Sequence, residues 1–507
     1  MVRVKSMQEL AAAVPEATLH GDEHCLVNGI VYDSRLVQPG NLFAALRGAD
    51  ADGHAFVAEA ESRGAAGLLV ETPLPSTLPQ IVSGSSRAAL SPVAGAFFDH
   101  PSRELNVIGI TGTDGKTTTA HMVDHILRRL GVATGLIGTV AIRIRARERL
   151  HPSRQTTPES SDVQRLLHEM MEADVQWAII ETTSHGLAMH RVDDVRFRIG
   201  AVTNVTHEHL DFHGSVEAYR RAKGILLQRV AAEEGLVVTN ADDPGARAIE
   251  HLAAGTRIIR YSKDGSQADL RAMCVQSNAA GSQFDLDAGP HGTAQVTLPL
   301  LGGFNVANAL CAAAIVLGAG FPLAAIAEAM GSAHPVPGRM ARIEAGQPFS
   351  VVVDYAHTPS ALEKVLHLLR GLHSRGRLIV VYGSAGERDV EKRPLQGAVA
   401  ARLADISVVT SEDPRFEDAD AIIAEIAAGA IAAGAELDRN LFCRTDRRDA
   451  IALAFASARA GDCVLLAGKG HEGSIIWGRE KVPWDEAGVA RELLLDAGFR
   501  GESSAFP

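Results

Sequence analysis

The stretch NVIGITGTDGKTTTAHMV, residues 106–123, constrains this chain more than any other. An apolar run enters a turn of glycine and threonine, passes through Lys116-Thr117-Thr118-Thr119, and continues into a helical pattern. A strand, a glycine loop and a helix in that order form a cradle for a phosphate anion. Backbone N–H groups turn inward and the helix amino terminus faces the charge. The pattern G-x-x-x-x-G-K-[ST] puts its first glycine at 110, where the chain has Ile; Gly109 comes one place early. The physics survives the mismatch. Gly112 and Gly115 free the backbone, with Thr113 between them. Lys116 supplies a point charge for the outer phosphates of ATP, and Thr117 offers a hydroxyl to Mg²⁺. Asp114 is an acid inside an anion loop, which is compatible if its carboxylate points away from the nucleotide, receives a cation, or accepts an N–H at the helix start.

At 507 residues the chain is too long for a single core, and about three domains are expected. A formal net charge of −12 argues against a nucleic-acid or anionic-membrane surface. Five cysteines (Cys25, Cys274, Cys311, Cys443, Cys463) are scattered without a C-x-x-C pair, which fits neither a disulfide framework nor a zinc site and suits a reducing cytoplasm. The amino terminus lacks a signal-peptide apolar core. The apolar stretch Leu310 to Met330 is broken by GAGFP and reads as two buried helices around a turn.

Two boundaries stand out. DHPSREL (Asp99 to Leu105) precedes the phosphate-loop strand, and AHPVPGRM (Ala333 to Met340) carries two prolines and a glycine. They divide the chain into residues 1–103, 104–335 and 336–507. Between them strands alternate with helical patterns, as in an α/β domain with a parallel sheet. Beyond the second, four apolar strands each run into a polar tail: FSVVVDYAHTP, LIVVYGSAGERD, DISVVTSEDPR and DCVLLAGKGHE. Ligand groups gather beyond the carboxyl ends of strands in open α/β sheets, so the four tails are expected to line one crevice.

Within the central segment, WAIIE ends an apolar strand on Glu181, and VTNVTHEHLDFHGS ends another on His207, Glu208, His209, Asp211 and His213. A hydroxyl from Thr117, the Glu181 carboxylate and an imidazole suit Mg²⁺ beside ATP better than zinc, since no cysteine joins them. Read by itself, Lys223 in YRRAKGILLQ is a helix-surface lysine.

GTDGKTTT resembles the GT-x-GKT[TS] loop of the Mur ligases, ATP-dependent enzymes that build the peptidoglycan stem peptide; Asp114 stands where this branch more often has Asn. The resemblance spans about 450 residues in motif order. It implies a small α/β domain holding a UDP-sugar, a central P-loop ATPase-like α/β domain with a parallel sheet, and a carboxyl-terminal Rossmann-like α/β domain that takes an amino acid. On the matching motifs, Lys116, Glu181, His209 and Lys223 would be catalytic, with Thr117, Glu181, His209 and a carbamylated Lys223 around Mg²⁺. Gly112, Thr113, Asp114, Gly115, Lys116, Thr117, Thr118, Asn305, Asn308, Arg339 and Asp354 would hold the nucleotide. Ser34, Arg35, Thr156, Thr157, Ser184 and Arg191 would meet the UDP-linked substrate; Met189 occupies a place often held by Gln. Arg388, Asp413, Arg415, Gly468 and Glu472 would meet the incoming amino acid.

The segments YDSRLVQPGNLF and VDYAHTP mark the branch that adds the third stem residue. The implied partners are UDP-N-acetylmuramoyl-L-Ala-D-Glu and a diamino acid, with ATP and Mg²⁺, in a cytoplasmic monomer. Branch members specific for meso-diaminopimelate carry DNPR where this chain has Glu412-Asp413-Pro414-Arg415. A carboxylate at 413 attracts a terminal ammonium and repels a second carboxylate, which favours L-lysine or L-ornithine over meso-diaminopimelate. The plainer alternative is an exposed turn in which Asp413 caps the next helix and pairs with Arg415. Other amide ligases with the same core, such as a folylpolyglutamate or poly-amino-acid synthetase, would share the centre but lack the DSR…PG-x-LF and DYAHTP segments. A non-catalytic P-loop binder would need no Glu/His cluster.

Overall fold

The computed structural model describes residues 3–48, 51–150, 155–206, 208, 210–278 and 280–500. The chain falls into two compact units: one runs to Gln276 and includes Ser282–Leu298 and Gly303–Ala333, and the other begins at His334 and includes short segments near 277–281 and 299–302. Three main sheets, each with its own apolar core, make up this mixed α/β architecture.

In the first unit, a five-stranded sheet runs in the order Thr18–His20, Gln80–Val82, Gly67–Val70, Asn41–Ala44, Gly29–Val31. Successive side chains of a strand point to opposite faces. Leu42, Ala44 and Leu69 therefore pack on Leu90, Val93 and Phe97 of the helix Ser86–Phe97, while Phe43, Leu68 and Val70 pack with Val57 and Ala60 on the other side.

The second sheet of this unit has eleven strands. Its parallel centre runs Thr134–Ile137, Trp177–Glu181, Asn106–Thr111, Ile199–Val202, Leu236–Asn240, Arg257–Ser262. Strands buried on both faces read as continuous apolar runs, which is how VIGI and WAII look in the sequence. The expected parallel sheet is thus present, flanked by antiparallel strands. Ala141–Ile144 and Arg147–Leu150 form a hairpin at one edge, turned through Arg145 at φ +54°. Arg143, Arg145, Arg147, Glu148 and Arg149 charge that edge, which guards it against further strand pairing. The apolar stretch after residue 302 forms two helices, Gly303–Gly318 and Leu323–Met330, linked through Gly320 at φ +98°. No described helix is long and apolar enough to cross a membrane.

The second unit is a six-stranded sheet in the order Ala341–Ile343, Ser350–Asp354, Cys463–Ala467, Leu378–Tyr382, Ile406–Val409, Leu441–Cys443, parallel except for its first pair. Helices cover both faces. Val352, Val380, Val409 and Leu465 pack against Leu366, Ala400 and Ile426, while Val353, Val381, Val408 and Leu466 pack against Ile451, Phe455 and Leu494. The four strands with polar tails are neighbours, and being parallel they end at the same edge.

Arg447, fully buried at the start of the helix Arg447–Ser457, clamps two of those tails. Its guanidinium donates to the carbonyls of Ser411 (3.2 Å) and Ala467 (2.8 Å) and pairs with the buried Glu486 at 2.6 Å. Removing one partner of such a pair strands the other charge in a low dielectric. Arg447→Met is expected to lower the unfolding free energy by about 3–5 kcal/mol, whereas Arg447→Met with Glu486→Leu recovers more than half of that loss; urea unfolding of the three proteins measures it.

Candidate active site

The phosphate loop leaves the strand Asn106–Thr111 and enters the helix Lys116–Arg129 through Gly115, which sits at φ +82° as the residue before the first helical turn. Two of its glycines are required by close approach. A Cβ on Gly112 (φ +154°) would overlap Thr203 Oγ1, and one on Gly115 would overlap Asn308 Oδ1. Asn308 in turn donates to Asn305 Oδ1 at 3.0 Å, so the Asn305/Asn308 pair lies directly against the loop. The loop backbone is tied to the next strand's tail. Asn204 Oδ1 accepts the Asp114 N–H at 2.9 Å, and Thr203 Oγ1 donates to the Asp114 carbonyl at 2.6 Å. The Asp114 side chain is exposed.

Glu181 is fully buried at the end of its strand, and a buried carboxylate needs donors. Thr117 Oγ1 supplies one at 2.8 Å, Thr139 N–H another at 2.8 Å, and Thr139 Oγ1 a third at 2.9 Å. Thr139 Oγ1 also lies 3.0 Å from Thr156 Oγ1, and Thr157 Oγ1 donates to the Glu181 carbonyl at 2.8 Å. Among the described residues no three His, Cys, Asp or Glu side chains gather here; the groups beside Glu181 are hydroxyls. Hydroxyl and carboxylate oxygens are hard donors that suit Mg²⁺, so these residues fit that ion. His209 lies outside the described residues.

Lys223 corrects the reading of a surface lysine: it is 1% exposed. The helix Val216–Ala232 turns Tyr219 and Lys223, four residues apart, to the same inward face. Lys223 Nζ sits 4.4 Å above the Tyr219 ring and donates to the Gly112 carbonyl at 2.7 Å. Lys116 Nζ reaches the same carbonyl at 2.9 Å and that of Thr113 at 2.8 Å. Burial first, and the neighbouring Lys116 charge second, hold the Lys223 ammonium well below the usual lysine range.

The expected UDP-substrate residues are already engaged. Arg191 is buried, donates to Glu159 at 2.9 Å and to the Thr157 carbonyl at 2.9 Å, and meets Met189 Sδ at 3.5 Å. Ser184 is buried in the first turn of Ser184–Ala188. Ser34 donates to Glu59 at 2.7 Å, and the exposed Arg35 pairs with Asp33 at 2.6 Å; both make these contacts within the amino-terminal sheet region.

In the second unit the four strand tails meet. Asp354 accepts the N–H groups of Met340 (2.8 Å) and Ala356 (2.9 Å), and its carbonyl accepts the Gly468 N–H at 3.1 Å. Arg339 stacks over Tyr355, 4.7 Å to the ring centre. Arg388 is exposed. Asp413 is neither an exposed turn residue nor a helix cap: it is buried, accepts the Ile476 N–H at 2.9 Å and pairs with Lys469 at 3.0 Å, while Asp418 caps the next helix. Lys469 also pairs with Glu472 at 2.6 Å. Arg415 adopts φ +56° and is braced by the hairpin Ser474–Trp477 and Glu480–Pro483 through Arg415 N–H to Ile476 O (3.0 Å).

Thr139, Thr203, Asn204 and Lys469 escaped the sequence reading. Thr139 had a signal, since GLIGTV repeats the apolar-run-then-Gly-Thr pattern of the phosphate loop. Lys469 lies in a Gly-Lys-Gly tail, but one of its two carboxylate partners, Asp413, is 56 residues away.

Models of three families match the chain: the Mur ligase family catalytic domain over residues 26–95, the Mur ligase middle domain over 110–316, and the Mur ligase glutamate ligase domain over 338–470. A UDP-N-acetylmuramyl-tripeptide synthetase of Roseiflexus sp. (strain RS-1) is 47% identical, covering 94% of this chain and 96% of the relative. A UDP-N-acetylmuramoyl-L-alanyl-D-glutamate–2,6-diaminopimelate ligase of Geobacillus kaustophilus is 40% identical over 94% of this chain and 97% of its own. A solved structure of a ligase with that same name aligns with a TM-score of 0.67 at 29% identity, over 98% of this chain and 100% of that one.

Glu412, beside Asp413, is buried, and burial pushes its carboxyl up to about 7 against the pull of Lys392 and Lys469, with Glu472 adding to the rise. The folded protein therefore keeps this proton to about pH 7, while an unfolded chain releases it near 4.5. Stability from this group is present below pH 4.5 and is lost as pH rises through 7. Glu412→Gln should flatten that decline and be the more stable protein at pH 8, by on the order of 3 kcal/mol; parallel stability profiles from pH 5 to 8 would contradict the burial argument.

Proposed function

The chain belongs to the Mur ligase family of ATP-dependent, Mg²⁺-requiring, ADP-forming ligases, and from that premise we propose that it adds a diamino acid to the D-Glu of UDP-N-acetylmuramoyl-L-Ala-D-Glu. The Geobacillus relative is named for the same UDP-linked dipeptide and for 2,6-diaminopimelate, itself a diamino acid. The observation that carries the chemistry is the Glu181 carboxylate, buried and hydrogen-bonded by the phosphate-loop hydroxyl of Thr117.

A free carboxylate resists attack by an amine because its leaving group would be oxide. In the proposed route the γ-carboxylate oxygen of D-Glu attacks the terminal phosphorus of ATP, the bond to the bridging oxygen breaks, and ADP leaves. The amine of the diamino acid then attacks the acyl carbon and loses a proton, and the carbon–oxygen bond to phosphate breaks, giving an amide and inorganic phosphate. Loop N–H groups and Lys116 stabilise the charge that develops on the transferred phosphoryl group. For this, the Lys116 ammonium moves from the Gly112 and Thr113 carbonyls to the phosphate oxygens. Mg²⁺, when bound through Thr117, Thr139, Glu181 and the proposed His209, supplies further charge neutralisation. Asn305, Asn308, Arg339 and Asp354 are proposed to hold the nucleotide. Ser34, Arg35, Thr156, Thr157, Ser184 and Arg191 are proposed to hold the UDP-linked substrate, in a cytoplasmic monomer.

Arg388, Asp413, Arg415, Gly468 and Glu472 are proposed to take the amino acid, with L-lysine or L-ornithine preferred. Compared with a neutral Asn, Asp413 adds one negative charge to this cluster. Because Lys469 engages that carboxylate, its influence acts as a local field rather than as a direct ligand contact. Ligation of equal concentrations of L-lysine, L-ornithine and meso-diaminopimelate, scored by product mass, tests the reading. A lysine or ornithine product should dominate; a dominant diaminopimelate product would sink the preference, and no amino-acid-dependent ADP release would sink the ligase assignment.

Lys223 is proposed to carry a carbamate. A neutral amine nitrogen bonds to the carbon of CO₂, one C=O electron pair moves to oxygen, and the nitrogen's proton passes to water. The burial that disfavours its ammonium form supports this. Lys223→Ala should lose nearly all activity and regain part of it with added formate or acetate. Absence of a mass increase of about 44 Da on the Lys223 peptide under CO₂-trapping conditions would count against the modification.

A further inference from the structure

The amino-acid side of the crevice contains a lysine that no motif reading assigns. Lys469 is fully buried, and its ammonium lies 3.0 Å from Asp413 Oδ1 and 2.6 Å from Glu472 Oε2. Burying an ammonium is costly unless it is paired and hydrogen-bonded, so this geometry binds all three side chains into one electrostatic group. The backbone holds the lysine in place. Gly468 (φ +102°) and Gly470 (φ +51°) flank it in left-handed conformations, and the Glu472 N–H donates to the Lys469 carbonyl at 2.8 Å. A Cβ on Gly470 would lie 2.8 Å from Tyr355 Cβ and 3.0 Å from the Gly338 carbonyl, so the turn is packed from the opposite side. Asp413 is held from the third side by the Ile476 N–H.

We propose that Lys469 is a specificity-determining residue. Its ammonium offsets one of the two carboxylate charges of Asp413 and Glu472 and thereby sets how much negative charge the cluster presents to the far end of the incoming diamino acid. The inference rests on the proposed ligase reading, in which Asp413, Arg415 and Glu472 face that amino acid. On this view the charge at position 413 cannot be read by itself. With Glu472 counted, the wild-type cluster carries one net negative charge, loss of the lysine leaves two, and an asparagine beside the lysine leaves none. A side chain ending in an amine gains from the second state and one ending in a carboxylate from the third.

The test is a charge cycle. Wild type, Lys469→Met, Asp413→Asn and the double variant are each given equal L-lysine and meso-diaminopimelate with ATP, Mg²⁺ and the UDP-muramoyl dipeptide, and the two products are measured by mass. Lys469→Met should move the ratio toward lysine by about tenfold, Asp413→Asn toward diaminopimelate by about tenfold, and the double variant should return it to near the wild-type value. Asp413→Asn keeps the Lys469–Glu472 pair, so it provides a folded comparison if Lys469→Met is unstable, and thermal unfolding of all four proteins identifies that case. A double variant with the ratio of Asp413→Asn would overturn the proposal, because Asp413 would then act without Lys469. Overall activity loss in Lys469→Met at an unchanged ratio, with wild-type thermal stability, would also overturn it. A wild-type protein that ligates neither amino acid would instead overturn the ligase reading beneath it.

Discussion

The parallel pairing of Trp177–Glu181 with Asn106–Thr111 sets Glu181 level with Ile110, two residues before the phosphate loop begins to turn at Gly112. That register places a fully buried carboxylate within 2.8 Å of the loop's Thr117 hydroxyl. A slip of one residue would send the carboxylate to the opposite face of the sheet. The burial also recruits Thr139, from the tail of the strand on the other side of Trp177–Glu181, because an ionised carboxylate away from water needs donors. Three consecutive strand tails thus converge on one group. The fourth, Thr203–Asn204, fastens the loop backbone from the other side, where a side chain on Gly112 would leave no room.

The second unit uses the same logic with different charges. Its parallel strands deliver polar tails to one edge, where ligand sites form in open α/β sheets. Arg447 and Glu486 join two of those tails, and Lys469 joins Asp413 to Glu472. The Arg447–Glu486 and Lys469–Asp413 pairs each bring opposite charges within hydrogen-bond distance across segments far apart in the chain. Pairing of this kind orders loops that lack regular structure of their own. Arg415, in a left-handed conformation beside the hairpin Ser474–Trp477 and Glu480–Pro483, is held by its backbone hydrogen bond to Ile476.

Much of this was legible in the residues. Apolar runs ending in Glu181, Asp354, Ser411-Glu412 and Gly468 identified strands and the ends that carry chemistry, and Gly115-Lys116-Thr117 identified the loop. Lys223 was misread because YRRAKGILLQ has arginines directly before the alanine and lysine, and only packing determines which face of that helix turns inward. Asp413 announced a charge but not its pairing with Lys469. Thr139 was hidden because threonine after glycine is common at strand ends, and nothing local says that a carboxylate 42 residues later will fold against it.

The sequence by itself determined the α/β class, the strand–loop–helix cradle, the donor types that suit a nucleotide and its magnesium, and the family motifs in order. These are local properties: alternation along a strand, backbone freedom at glycine and capping at a helix start each depend on a few neighbouring residues. Only the tertiary structure decided that Lys223 is buried beside Lys116, that Thr139 completes the Glu181 cluster, and that Lys469 pairs with Asp413. The energy of a charge depends on the dielectric around it and on the nearest opposite charge, and both are set by strand order and register across separations of 42 to 111 residues, which no local pattern encodes.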